Sequence, residues 1–128
     1  MDVAPARFVL DTNAVLYAVL YLLGGRLAQP LPDGTYCLSV ISELELLAYP
    51  DLTLSEEAHI KTFLQDITIV ELNSTVKSQA VDLRKRYRLK LPDALIVATT
   101  MTLNATLLTN DQRLLNLAAA PTQILELK

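Results

Sequence analysis

KLPDALIVATT, Lys90 to Thr100, decides the fold class. After Pro92 it reads as a helix on which Ala94, Leu95, Ile96, Val97 and Ala98 leave no polar face, so the helix must be covered all round. The chain as a whole supports that reading: 52% of its 128 residues are apolar and the mean hydropathy is +0.32. Such values suit helices and strands buried on two sides, as in layered α/β folds. One polar group stands at the head of this apolar helix, the carboxylate of Asp93. It is either a cap or a group held in place for chemistry.

Outward from that helix, strand and helix patterns alternate. FVLD, Phe8 to Asp11, reads as a short buried strand, and Asn13 as a cap for an apolar helix from Ala14 to Leu23. GGRLAQPLPDGT, Gly24 to Thr35, carries all three glycines and two of the six prolines and reads as a loop. Tyr36 to Val40 is a second strand, followed by a helix from Ser42 that Pro50 ends. Ser55 with Glu57 opens a helix to about Gln65, and Ile67 to Leu72 is β-branched and strand-like. Asn73 or Ser74 caps a helix to about Arg88, with Val76, Ala80, Leu83 and Tyr87 as its core stripe. The Lys90 to Thr100 helix, a strand Ala105 to Thr109, a helix from Asp111 and a strand near Ile124 to Leu127 complete the chain. The expected fold is a three-layer α/β/α sandwich with a central, mostly parallel sheet, and residues 1–128 form a single domain.

Several functions are excluded by what is absent. Three glycines supply neither a dinucleotide-binding nor a Walker-type phosphate cradle. The one histidine, His59, lies on a polar helix without cysteine partners, which argues against zinc and against a Ser-His-Asp triad. The longest apolar run, Ala14 to Leu23, is ten residues and cannot span a bilayer. A single cysteine, Cys37, permits no internal disulfide and suits a reduced, cytoplasmic setting. The net charge of −3 gives no general attraction to nucleic acid, yet Arg84, Lys85, Arg86, Arg88 and Lys90 crowd five of the eleven basic residues into seven positions. That run is a solvated helix face or, beside an active site, a phosphate-contact patch.

The acids carry more. Asp11 ends a strand, Asp111 closely follows another, Glu43 lies just past a third, and Asp93 opens the buried helix. Strand C-termini of an open parallel sheet share the edge where ligands bind, so Asp11, Glu43 and Asp111 are expected to converge there. Asp93, which follows a helix–helix connection, is not forced to that edge. Capping is worth about 0.3–1 kcal/mol per acid. Two carboxylates about 4 Å apart repel by about 4 kcal/mol at an effective dielectric near 20, which outweighs a cap. Four acids in one pocket therefore call for protons or a hard cation, and oxygen ligands without His or Cys favour Mg²⁺ or Mn²⁺. Such a site suits phosphoryl chemistry.

Asp11-Thr12-Asn13 after a strand, Glu43 in SELE, the run Asp93 to Thr99 and Leu108-Thr109-Asn110-Asp111 together resemble the PIN-domain nucleases, and within them the VapC type of toxin ribonuclease. The resemblance spans Phe8 to about Leu114. It implies a compact α/β/α fold and a Mg²⁺- or Mn²⁺-dependent endoribonuclease. Asp11, Glu43, Asp93 and Asp111 would form its acidic pocket. Asp11 and Asp93 would be the foremost metal ligands, Asp111 close behind, and Glu43 a ligand or an orienter of the attacking water. Asn13 and Thr109 would fix the carboxylates, or serve simply as a helix cap and a strand end. The resemblance also implies an RNA substrate, a small antitoxin partner and a homodimer. Because the basic run immediately precedes Asp93, Arg84, Arg86, Arg88 and Lys90 are expected at the mouth of that pocket as nucleic-acid contacts, or else as a solvated helix face. Two other readings compete: a non-catalytic PIN-like scaffold binding RNA or protein, and a Mg²⁺-dependent phosphatase. The phosphatase needs a second Asp where Asn13 stands.

Overall fold

The computed structural model describes residues 6–22, 33–117 and 120–124. Its elements run β1 (Arg7–Leu10), α1 (Thr12–Leu22), β2 (Thr35–Ser39), α2 (Val40–Leu47), α3 (Leu54–Asp66), β3 (Thr68–Val70), α4 (Ser74–Tyr87), α5 (Leu91–Thr102), β4 (Thr106–Thr109), α6 (Gln112–Leu115) and β5 (Thr122–Ile124). The five strands form one sheet in the order β3-β2-β1-β4-β5, and every neighbouring pair is parallel. Among the described residues no helix is long and apolar enough to cross a membrane.

Strand alternation sorts the core into two halves, one on each face of the sheet. Phe8, Leu10, Leu38 and Leu108 pack with Val15, Leu16, Leu46 and Ile60 of α1, α2 and α3. Val9, Cys37 and Leu107 point the other way, onto Val76, Ala80 and Leu83 of α4 and the apolar run of α5. These are the three layers expected. In α5 every residue from Ala94 to Thr100 is buried. Its threonines survive there because Thr99 and Thr100 donate their hydroxyls to the Leu95 and Ile96 carbonyls, at 2.8 and 2.9 Å. At the start of β2, a side chain on Gly34 would run into the Ala6 carbonyl and the Phe8 ring, so only glycine admits this close approach to β1.

Element ends differ from the sequence reading in ways that bear on the site. The Asp11 carbonyl already accepts from the Val15 N–H at 3.1 Å, so α1 starts at Thr12 and Asn13 lies inside its first turn instead of capping it. Ser39 Oγ accepts from the Ile41 N–H at 3.2 Å, so α2 begins at Val40, two residues before Ser42. Thr53 and Glu56 close a capping box on α3, displacing Ser55 and Glu57 from that role. Asn73, one of two candidates, caps α4 by accepting from the Val76 N–H. Tyr87 is the last residue of α4 and is 38% exposed, so the core stripe stops at Leu83. Residues 24–32 of the glycine-bearing loop and residues 125–127 of the last expected strand lie outside the described residues.

Candidate active site at the sheet switch point

The chain lays down β1, β2 and β3 outward in one direction, then crosses to place β4 on the far side of β1 and β5 beyond it. Strand order therefore reverses between β1 and β4, the position where open α/β sheets bind ligands at their carboxyl edge. Asp11 follows β1 and Asp111 follows β4, and both stand at that reversal. The two strand ends are joined by hydrogen bonds. The Asp11 N–H donates to the Leu108 carbonyl at 3.0 Å. The Thr109 hydroxyl donates to Asp11 Oδ2 at 2.8 Å and accepts from the Asp111 N–H at 3.0 Å. Thr109 is fully buried and Asp11 is 5% exposed, so this carboxylate is held by protein.

Asp93 reaches the same place from α5. Lys90 occupies the N-cap of that helix, and the Asp93 carboxylate pairs instead with Arg113 Nη2 at 3.5 Å. Asp93 and Asp11 line one cavity of about 250 Å³, together with Thr12, Asn13, Glu45, Ala48, Tyr49 and Pro50. Asp111, by contrast, does cap: its Oδ1 accepts from the Arg113 N–H at 2.9 Å at the head of α6. The Arg113 side chain also folds back onto it, with Nη2 2.8 Å from Oδ2.

Of the four acids expected to converge, the structure brings Asp11, Asp93 and Asp111 together. On α2 the residue lining the cavity is Glu45, and Glu43 is not among its lining residues. The physical reason is helix phase. With α2 beginning at Val40, positions 42 and 45 lie one turn apart on the face toward Thr12. The Thr12 hydroxyl donates to Glu45 Oε1 at 2.7 Å and sits 2.9 Å from the Ser42 hydroxyl. Thr12, Ser42 and Arg113 are further members that the sequence reading passed over. The i, i+3 pairing of Ser42 with Glu45, just before the buried Leu46, is the signal that could have found Ser42 and Glu45.

The electrostatics are those of crowded acids. Burial raises the Asp11 carboxyl above its ordinary value; Asp93 and Asp111 add to the rise, and the Thr109 hydroxyl and Thr12 backbone oppose it. Asp93 is raised too, first by burial and further by Asp111 and Glu45, against the pull of Arg113 and Lys90. Asp111 is lowered, chiefly by its hydrogen bond to Arg113. Two carboxyls that ionise reluctantly thus face one opening, with one guanidinium reaching across from α6.

The basic run divides by role. Arg84 Nη1 donates to the Leu89 carbonyl at 3.0 Å and ties the α4–α5 turn, in which Arg88 is left-handed at φ 56°. Arg86 pairs with Asp82 at 3.6 Å on the open face of α4. Lys90 is the member whose charge is felt at Asp93. Arg84, Arg88 and Lys90 also line a cavity of about 370 Å³ beside that turn.

A carboxylate crevice at the reversal of a doubly wound parallel sheet defines the class: an α/β/α domain that gathers negative charge where such sheets bind ligands. More narrowly, the chain belongs to the PIN domain family, whose model matches residues 8–120. PIN-domain proteins are nucleases that generally use divalent metals. Solved structures share the fold. One is the VapBC2 complex of Rickettsia felis bound to a promoter DNA fragment, at 19% identity and TM-score 0.73, covering 94% of this chain and 99% of that one. VapBC-5 of Mycobacterium tuberculosis, described as a toxin–antitoxin system, matches at 21% identity and TM-score 0.68 over 95% and 99%. A toxin–antitoxin complex of Klebsiella pneumoniae matches at 24% identity and TM-score 0.67 over 88% and 93%. No curated protein matches by sequence.

Proposed function

We propose that the chain is a divalent-metal-dependent endoribonuclease, folded as one PIN-like domain, and the toxin of a toxin–antitoxin pair. The observation that carries this reading is the gathering of Asp11, Asp93 and Glu45 round one cavity, with Asp111 beside it. The donor set fits a hard cation: it is all oxygen, and two of its carboxyls are raised by burial and by neighbouring acids. Among the described residues no three His, Cys, Asp or Glu side chains close into a preformed cage. Mg²⁺ is commonly held by one or two carboxylates and completed by water and substrate phosphates.

Asp11 and Asp93 are the foremost residues assigned to hold the ion, with Asp111 as a further ligand close behind; Glu45 lies next to them and takes the part expected of Glu43. When bound, such an ion supplies a nucleophile from water at neutral pH and offsets charge developing on phosphoryl oxygens. The chain's own groups do the rest. Thr109 keeps Asp11 oriented and favours its ionised form. Thr12 fixes Glu45, which lines the same cavity, where it can receive a proton or orient water. Asn13, exposed at the cavity rim, is placed for a substrate or solvent contact. Lys90, and beyond it Arg84, Arg86 and Arg88, offer positive charge to an RNA backbone.

A partner has apolar surface to cover: Leu44 and Leu47 on α2 and Leu54 at the head of α3 are exposed. An antitoxin, as in the solved toxin–antitoxin complexes, or a second copy of the chain suits it. The test is incubation of the purified chain with an RNA panel under Mn²⁺, Mg²⁺ or chelator. Metal-dependent internal cleavage, lost in Asp11→Asn and Asp93→Asn, supports the proposal. No cleavage of any RNA favours the binding scaffold. Phosphate release from small phosphomonoesters favours the phosphatase.

A further inference from the structure

Arg113 is the cation already at the acids. Its Nη2 lies 2.8 Å from Asp111 Oδ2 and 3.5 Å from Asp93 Oδ2, and its Nε donates to Asp111 Oδ1 at 3.3 Å. One guanidinium thus joins carboxylates delivered by two different elements, the head of α5 and the head of α6. We propose that Arg113 and a divalent cation are alternative occupants of the Asp93–Asp111 pair, so that loading the ion displaces the arginine. The inference rests on the metal-site reading above and assigns a further residue to it.

Three observations support exchange over a fixed brace. First, the oxygens engaged are the same ones: Asp93 Oδ2 and both oxygens of Asp111 are occupied by Arg113 and would also serve a hard cation. Second, the Arg113 side chain is 63% exposed while those of Asp93 and Asp111 are 19% and 24% exposed. The arginine can swing into water while the acids stay anchored in the fold. Third, with the guanidinium gone, the repulsion among Asp93, Asp111 and Asp11 loses its larger offset and Lys90 is left as the weaker one at Asp93, which favours an incoming cation.

The two roles predict opposite signs. A brace that holds Asp93 and Asp111 ready for the ion makes Mn²⁺ bind more weakly when removed. A competitor makes it bind more tightly. The experiment is calorimetric titration of the full chain with Mn²⁺ at fixed ionic strength, comparing wild type with Arg113→Ala, Arg113→Gln and Arg113→Lys. The glutamine variant keeps most of the side chain's length and guards against a folding failure of the alanine variant. Removing the charge is expected to tighten binding roughly 1.5- to fivefold, the range for a solvent-exposed ion pair. Lysine keeps the charge without the two-pronged geometry and should fall between. Unchanged or weaker Mn²⁺ binding in both neutral variants overturns the exchange while leaving the metal site standing. If neither wild type nor any variant takes up Mn²⁺, the metal site fails and the exchange with it.

Discussion

Replacing Thr109 by valine preserves shape and removes one hydroxyl, and two hydrogen bonds at the centre of the site depend on that hydroxyl. It donates to Asp11 Oδ2 at 2.8 Å and accepts from the Asp111 N–H at 3.0 Å, in a position with no solvent access. A bond to an ionised group contributes about 1.5–3 kcal/mol and an ordinary one about 0.5–1.5 kcal/mol, so Thr109→Val should cost about 2–4 kcal/mol at pH 7.5. With an unfolding entropy of about 2.1 cal/mol/K per residue over 128 residues, this corresponds to a midpoint lowered by about 7–15 °C. The larger bond stabilises the charged form of Asp11, so its share is present while Asp11 is ionised in the fold. It is lost as pH falls through the folded pKa of Asp11, which burial holds above the ordinary 3.8. Urea unfolding of both proteins at pH 7.5 and at pH 4 is the assay. The gap between them should narrow at pH 4. A gap of the same size at both values, or one below about 0.5 kcal/mol at pH 7.5, refutes the claim that Thr109 serves the Asp11 carboxylate.

Asp11→Asn should make the metal-free protein more stable at neutral pH, by about 1 kcal/mol, as expected where a functional charge is held against its preference. The sign follows from the raised pKa: stability tied to Asp11 is full below 3.8 and is lost as pH rises through the higher folded value. Melting curves in chelator check it, and a lower midpoint for the asparagine variant counts against the reasoning. Mn²⁺ should raise the midpoint of wild type and not that of the variant, because only wild type gains binding free energy. Glu45→Gln should slow RNA cleavage by about 10²-fold or more, whereas Glu43→Gln should leave the rate within about twofold because Glu43 does not line the cavity. Single-turnover cleavage rates decide between them, and a larger loss at Glu43 reverses the assignment.

Much of the fold was legible because periodicity carries it. A run from Ala94 to Ala98 without a polar face had to be covered all round, and it is. The paired alternations Val9 against Leu10 and Leu107 against Leu108 distribute to opposite layers, as a sheet with helices on both faces requires. Asp11 and Asp111 could be placed at one edge from topology alone. Helix phase was less legible. Glu43 was expected at the site as the acid just past a strand, whereas Ser39 caps α2 two residues before Ser42 and the α2 carboxylate lining the cavity is Glu45. The bond from Thr12, thirty-three residues away in sequence, is a contact to Glu45 that no local pattern announces. Arg113 was invisible for a related reason. Nothing local in NDQRLL marks a side chain that reaches Asp93, and that contact exists only once α5 and α6 meet. Tyr87 kept the rhythm of the α4 stripe but fell where the helix ends, so rhythm alone overstated its burial.

The central claim is that the carboxylates at the sheet reversal hold a divalent ion. The most direct measurement is anomalous scattering from crystals of the chain soaked in Mn²⁺, alongside crystals of Asp93→Asn. The account predicts a manganese peak bonded to Asp11 and Asp93 in the wild type, with Arg113 drawn away from Asp93, and no peak there in the variant. A wild-type crystal with manganese only elsewhere, or the same peak undiminished in Asp93→Asn, contradicts it.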